Sequence, residues 1–246
     1  VSAWASENGV TLAQVRTDEK SNEITAIPEL LELLDISGAL VSIDAAGCQK
    51  AIASQIVSGG GDYLLAVKDN QPRLFEDIKT LANAALEADL AGLKLFATEE
   101  QSHGRSEFRS CFVLTNLEGI RDRELWEGLK SVVCVTSGRQ VKGKKESSEV
   151  RYYISSRRGS GKMFLGASRT HWSIENECHW LLDVAFREDD HRLREGHAPE
   201  NLSVVRKMAL AMLKKATGKT GIKNKRLKAG WDDSFLEHVL RDFLDD

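Results

Sequence analysis

Residues 39–67 read ALVSIDAAGCQKAIASQIVSGGGDYLLAV, and their pattern sets the fold class. Ala39–Ile43 is a short apolar run of the kind that forms a buried parallel strand, and it ends at Asp44. The chain then turns through Ala45-Ala46-Gly47, enters a helix over Gln49–Val57 and stops at Gly59-Gly60-Gly61. A second core strand follows at Tyr63–Val67, with Lys68 and Asp69 at its end. Strand, helix, strand is the right-handed α/β crossover unit. In such sheets functional groups collect at the strand ends, where Asp44 stands; a turn or helix-capping aspartate is the other use of that position.

Working outward toward the N-terminus, Ile24–Leu34 has helical spacing through Ile24, Ile27, Leu30, Leu31 and Leu34, with Pro28 placed near the first turn. Val1–Ala5 and Val10–Arg16 are two short strands around Glu7-Asn8-Gly9, a hairpin signal. The chain opens at Val1 in a strand-like run, which reads as a start inside a longer protein.

Toward the C-terminus, Pro72–Leu90 is an Ala-rich amphipathic helix. From Leu93 the period changes to alternation, and Leu93–Thr98, Phe108–Thr115, Ser131–Thr136 and Val150–Ile154 read as strands of an antiparallel insertion. The Arg139–Lys145 loop and the segment His103–Arg109 carry basic residues suited to phosphate contact or to exposed hairpin turns. Arg157–Lys162 lacks a complete phosphate-loop pattern.

The next informative stretch is Ser168–Asp190, SRTHWSIENECHWLLDVAFREDD. As a helix it lines up Ile174, Cys178, Leu181, Leu182 and Ala185 on an apolar face. Glu175 then stands about 100° round from Ile174, with His171 and His179 one turn away on either side and Asp183 beyond. Such a glutamate serves as a solvated face or as a metal-binding acid fixed at a core boundary. A zinc site is disfavoured, because the order is not His-Glu-x-x-His and no cysteine pair supports it. Ala198–Ala216 and Ser234–Leu244 are further amphipathic helices, and Lys/Gly-rich Thr217–Gly230 reads as a linker.

Composition sets bounds. The chain has 246 residues, 41% hydrophobic and 29% charged, enough for a substantial core. No apolar run is long enough to span a bilayer and no signal peptide is evident, so a cytoplasmic location is expected. Cys48, Cys111, Cys134 and Cys178 form no C-x-x-C pair and read as reduced, buried thiols. The net charge of −3 hides a basic tract. Asn201–Trp231 contains no acid but holds Arg206, Lys207, Lys214, Lys215, Lys219, Lys223, Lys225, Arg226 and Lys228, a phosphate-binding surface or a solvated helix and tail.

Three strings carry a resemblance: His-Trp-Ser-Ile-Glu-Asn (171–176), His-Trp-Leu-Leu-Asp-Val-Ala-Phe-Arg-Glu-Asp (179–189) and Ala-Pro-Glu-Asn-Leu (198–202). Together they resemble the C-terminal signature of the H-repeat-associated insertion-sequence transposases, of the DDE superfamily. Ser-Ile-Asp-Ala-Ala-Gly-Cys-Gln (42–49) is similar to that family's second catalytic-aspartate motif, and His103–Arg109 to another recurrent motif. The resemblance implies an α/β, ribonuclease H-like mixed sheet flanked by helices, with an antiparallel β insertion before the last catalytic helix. The core would occupy 1–92 and 158–216, the insertion 93–157, and a basic linker with a final helix 217–246.

It further implies metal-dependent DNA strand cleavage and transfer through an Asp-Asp-Glu triad. Asp44 and Glu175 would be the second and third acids, catalytic and metal-binding, with Mg²⁺ as the ion and Mn²⁺ as a substitute. The first Asp is expected upstream of Val1, since Asp18, Asp62 and Asp69 offer no convincing substitute; the chain alone would bind metal weakly and need not cut DNA. Arg105, Arg109, Arg169, His171, Asn176, His179, Arg192 and Lys207 are the expected contacts to DNA, both terminal repeats and target. A homodimer, a nucleoid association when active and no membrane partner complete the expectation. The wider superfamily carries Tyr, Arg and Lys at positions occupied here by Ser168, His171 and Leu182, a departure that bears on hairpin handling. Two other readings stay open: a non-catalytic DNA-binding remnant, and a soluble α/β protein whose basic tract is a solvated tail.

Overall fold

The computed structural model describes residues 1–17, 23–102, 105–141, 143 and 147–244. In chain order these form β1 (Ser2–Ala5), β2 (Val10–Gln14), α1 (Glu23–Glu32), β3 (Leu40–Ile43), α2 (Lys50–Ser58), β4 (Asp62–Val67) and α3 (Pro72–Glu87). There follow β5 (Phe96–Ser102), β6 (Arg105–Leu114), β7 (Ser131–Val141), β8 (Ser147–Ser155) and α4 (Gly161–Ile174). A π-helical turn, Glu175–His179, leads into α5 (Trp180–Phe186), α6 (Ala198–Lys215), α7 (Ile222–Ala229) and α8 (Asp233–Leu244). Two compact units result, Thr17–His171 and Val1–Arg16 with Trp172–Asp246, the division falling inside α4.

The larger unit is built on one mixed sheet of order β3-β4-β8-β7-β6-β5. β3 and β4 are parallel, with Leu40 opposite Asp62 and Ile43 opposite Leu65, as the crossover pattern of 39–67 requires. The strands expected as an insertion continue this same sheet, because β8 runs antiparallel to β4 from Leu64↔Ser155 to Val67↔Tyr152. The hairpins also extend well past their apolar cores: β6 and β7 stay paired out to Arg105↔Val141. β7 shows why. Ser131–Val135 is buried on both faces, whereas its far half is mostly half-buried and becomes exposed at Arg139 and Gln140, where ladder hydrogen bonds carry the pairing. The edge strand β5 is mostly exposed and carries Glu99 and Glu100, charges that discourage pairing with another edge.

α4 covers the sheet with Phe164 and Leu165, which pack with Leu64, Cys111, Val133, Val135 and Tyr153. Burying a side chain such as Phe164 contributes about 2 kcal/mol. Tyr153 completes the contact by a 2.9 Å hydrogen bond between its hydroxyl and that of Ser168. Ser168 is therefore buried rather than presented to a ligand. On α1, Pro28 lies inside the helix rather than at its first turn, and its carbonyl accepts a 2.9 Å bond from the Gln55 side chain of α2.

In the smaller unit, β1 and β2 form the expected hairpin, turned by Gly9 in a left-handed conformation (φ 64°) that glycine adopts without strain. Cys178, Leu182 and Leu210 form its core together with Trp4, Ile174, Leu181, Phe186 and Ile222. A second cluster joins Leu213, Ala216 and Val239 to Phe235. The Lys-rich 217–230 segment, expected as a linker, contains α7. The buried Lys225 fixes it, donating to the Leu213 carbonyl (3.3 Å) and the Ala216 carbonyl (2.5 Å), acceptors that the end of α6 leaves unpaired. No described helix is long and apolar enough to cross a membrane.

Candidate active site

Asp44 leaves the carboxyl end of β3 and is exposed. Its Oδ1 accepts hydrogen bonds from the backbone N–H of Ala46 (3.1 Å) and of Gly47 (3.4 Å), so the carboxylate folds back over its own turn. Gly47 is required by space. A Cβ there would overlap Cγ2 of Ile43 and come within 2.8 Å of Cδ1 of Ile27. Cys48, next in the turn, is fully buried, and burial pushes its thiol up to about 12. The turn is thus anchored on its inner side by tight packing.

The loop after β4 holds its outer side. Asn70 Nδ2 donates to the Ala45 carbonyl, and Gln71 Nε2 donates to the Cys48 carbonyl at 2.8 Å and lies 3.5 Å from Gln49 Oε1. Two residues before Asp44, on the same strand, Ser42 Oγ lies 3.1 Å from His171 Nδ1. This ties the expected phosphate-contacting histidine to the strand that carries the aspartate.

Glu175 opens the π-helical turn of the smaller unit and is exposed, while Cys178 in the same turn is buried. The sequence predicts one uninterrupted helix here. Instead the turn widens by one residue, an arrangement that is rare and tends to occur at functional positions. His179 Nδ1 lies 3.7 Å from Glu175 Oε2, and Asn176 is exposed beside it. Farther along, burial raises the Asp183 carboxyl above its ordinary value, and the charges of Asp189 and Glu188 add to the effect.

The arginines expected to meet phosphate are held by carboxylates. Arg169 Nη1 donates to Glu100 Oε1 at 2.7 Å, and Arg109 Nη1 lies 3.6 Å from Glu100 Oε2. Arg109 also binds Glu107 Oε2 at 2.5 Å, and Arg105 binds Glu107 Oε1 at 3.3 Å. The hydrogen bond from Arg109 holds the Glu107 carboxyl below the usual range against the opposing effect of burial. Glu100 and Glu107 thus bring the three arginines together on one surface of the larger unit. His103 and Gly104 of that motif, and Lys142, Lys144 and Lys145 of the basic loop, lie outside the described residues, as does Asp18.

Lys207 turns inward. Its Nζ donates to Gln14 Oε1 at 2.6 Å, and burial lowers its pKa. Arg192 is exposed in the segment between α5 and α6. Leu182 is buried in the small core, so it carries none of the phosphate chemistry of a lysine. Sequence reasoning missed Ser42, Gly47, Asn70, Gln71 and Glu100. A usable signal existed for Gln71: it precedes Pro72, the first residue of α3, a position that favours Ser, Thr, Asp or Asn.

Carboxylate oxygens are what hard divalent cations bind, and Asp44 and Glu175 are exposed carboxylates, so the donor chemistry fits Mg²⁺. Among the described residues no group of three or more His, Cys, Asp or Glu is arranged to hold an ion.

The family described as "Transposase DDE domain" matches residues 1–212. "Putative transposase YncI" of Escherichia coli O157:H7 is 46% identical over 244 residues, 98% of this chain and 62% of that protein. "H repeat-associated putative transposase YhhI" of E. coli K12 is 41% identical over 251 residues, 98% of this chain and 65% of its own length. "H repeat-associated putative transposase YbfD" of the same strain is 48% identical over 115 residues, 44% of this chain. The chain therefore spans less than two thirds of the length of YncI and YhhI.

Proposed function

This chain belongs to the transposase DDE domain family, H-repeat-associated branch, and on that footing we propose that it is part of an enzyme that cuts and rejoins DNA at insertion-sequence ends. Its α/β architecture, a mixed six-stranded sheet flanked by helices, accords with a ribonuclease H-like transposase core. The observation that carries the reading is Asp44, an exposed carboxylate held at the carboxyl end of a parallel strand inside the matched region.

Asp44 and Glu175 are assigned as the second and third acids of the Asp-Asp-Glu triad, and the first is left unassigned within this chain. Each would offer a carboxylate to Mg²⁺, or to Mn²⁺ in its place, whose contribution is Lewis acidity toward phosphoryl oxygen. The chain's own part is placement. Both amide bonds to Asp44 fall on Oδ1, which leaves Oδ2 for an ion. Glu175 is carried on a helical segment whose opposite face is buried, so its position is fixed by the core. His171, Asn176, His179 and Arg192 are assigned to the phosphate backbone. Arg105, Arg109 and Arg169 reach it by exchanging the carboxylates of Glu100 and Glu107 for phosphates, and Lys207 by releasing Gln14. A homodimer, the commonest closed assembly, would supply one copy for each end of the element.

The test joins this chain to the part of YncI that it does not span and incubates the product with labelled insertion-sequence end DNA and Mg²⁺. Metal-dependent nicking is expected, and Asp44→Asn and Glu175→Gln should each abolish it while leaving the circular dichroism spectrum unchanged. Nicking that survives both substitutions removes these acids from catalysis. Salt-sensitive DNA binding without any nicking would leave a DNA-binding protein and no strand chemistry.

A further inference from the structure

We infer that Asn70 and Gln71 are positioning residues for Asp44, an inference that rests on the reading of Asp44 as a metal-binding carboxylate given above. β3 and β4 are parallel neighbours, so the chain leaves both at the same end of the sheet and the turns 44–49 and 68–71 lie side by side. The direction of the Asp44 carboxylate is set by the amides of Ala46 and Gly47, and therefore by the path of its turn. Asn70 grips that turn at the Ala45 carbonyl, adjacent to the acid, and Gln71 grips it at Cys48, its far end.

Neither side chain is used where its own position would ordinarily use it. Gln71 occupies the N-cap of α3, yet its side chain makes no bond to the first turn of that helix and reaches across to the neighbouring turn instead. Gln49 at the N-cap of α2 behaves the same way, donating to the Ala46 carbonyl at 3.3 Å. Asn70 is exposed, where water would satisfy its amide, and still spends it on a backbone carbonyl of the Asp44 turn. The Asn-Gln-Pro sequence after β4 thus supplies two donors that keep the acid's remaining oxygen aimed one way.

The test is a Mn²⁺ titration of the ¹⁵N-labelled chain, read by paramagnetic broadening of the Ala45, Ala46 and Gly47 amides. Asp44→Asn should abolish the broadening at those amides. Asn70→Ala, and Gln71→Met, which keeps the shape but removes the donor, should each raise the Mn²⁺ midpoint about tenfold, the low end for loss of a residue that orients a ligand. The melting temperature of the Asn70→Ala protein should stay near that of the wild type, as expected for an exposed position. If Asp44→Asn changes nothing, the metal-site reading fails and this inference with it. If Asp44→Asn acts but Asn70→Ala and Gln71→Met leave the midpoint unchanged, Asp44 keeps its role and the positioning inference is overturned.

Discussion

At residue 47 one hydrogen atom decides whether the turn after β3 closes. A methyl group in its place would have to displace Ile43 and Ile27, so Gly47→Ala should destabilise the protein by about 1–3 kcal/mol, seen as a lower urea midpoint. Asp77 is a second residue with outsized leverage. Burial pushes its carboxyl up, but bonds from the Arg121 side chain and backbone N–H, both at 2.8 Å, outweigh this and hold it below the usual range. A depressed folded pKa means stability that is complete above the unfolded value of about 3.9 and lost as pH falls through the folded one. Asp77→Asn should therefore cost about 1–3 kcal/mol at pH 7, a difference from wild type that vanishes on acidification and is measured by denaturation across pH. Asp44 was legible at this scale, because an aspartate that ends an apolar run marks a strand terminus. The Ser42–His171 bond was not, since 129 residues separate its partners and only the fold brings them together.

Among the elements, those with a continuous apolar stripe were legible to within a few residues, including α3, α6 and α8. The π-helical turn escaped because Ile174, Cys178 and Leu182 keep a four-residue step straight through it. α7 escaped for the opposite reason: it is dominated by Lys and Arg and has no stripe to read. Its residues favour helix intrinsically, and the buried Lys225 ties it to the end of α6. Lys225→Met should cost about 1–3 kcal/mol by leaving two carbonyls without their donor, whereas Lys223→Met, at an exposed position of the same helix, should stay within about 0.5 kcal/mol. Thermal melts of the two variants check the contrast.

Over the whole molecule, the alternating segments 93–157 were readable as strands but not as members of the same sheet, because pairing β8 with β4 is a non-local choice that no local pattern encodes. Charge behaves similarly. A chain of net −3 must meet DNA, as proposed, through local groups, and much of its arginine is already neutralised by its own carboxylates. Glu100→Gln should therefore raise DNA affinity, because Arg169 would no longer have to give up a carboxylate in order to reach phosphate. Fluorescence anisotropy between about 50 and 200 mM salt would show it, and an affinity no higher than that of the wild type would remove Arg169 from the interface. The buried thiols give the molecule a set of internal clocks. Cys48 beneath the Asp44 turn and Cys111 and Cys134 in the sheet are pushed up to about 12, and burial raises Cys178 in the π-helical turn as well. Closed and protonated, each reacts with an alkylating reagent only when its surroundings open, so its labelling rate measures how often that region breathes. Equal rates at Cys48 and Cys178 would mean that the two units open as one event, and unequal rates that each keeps its own time.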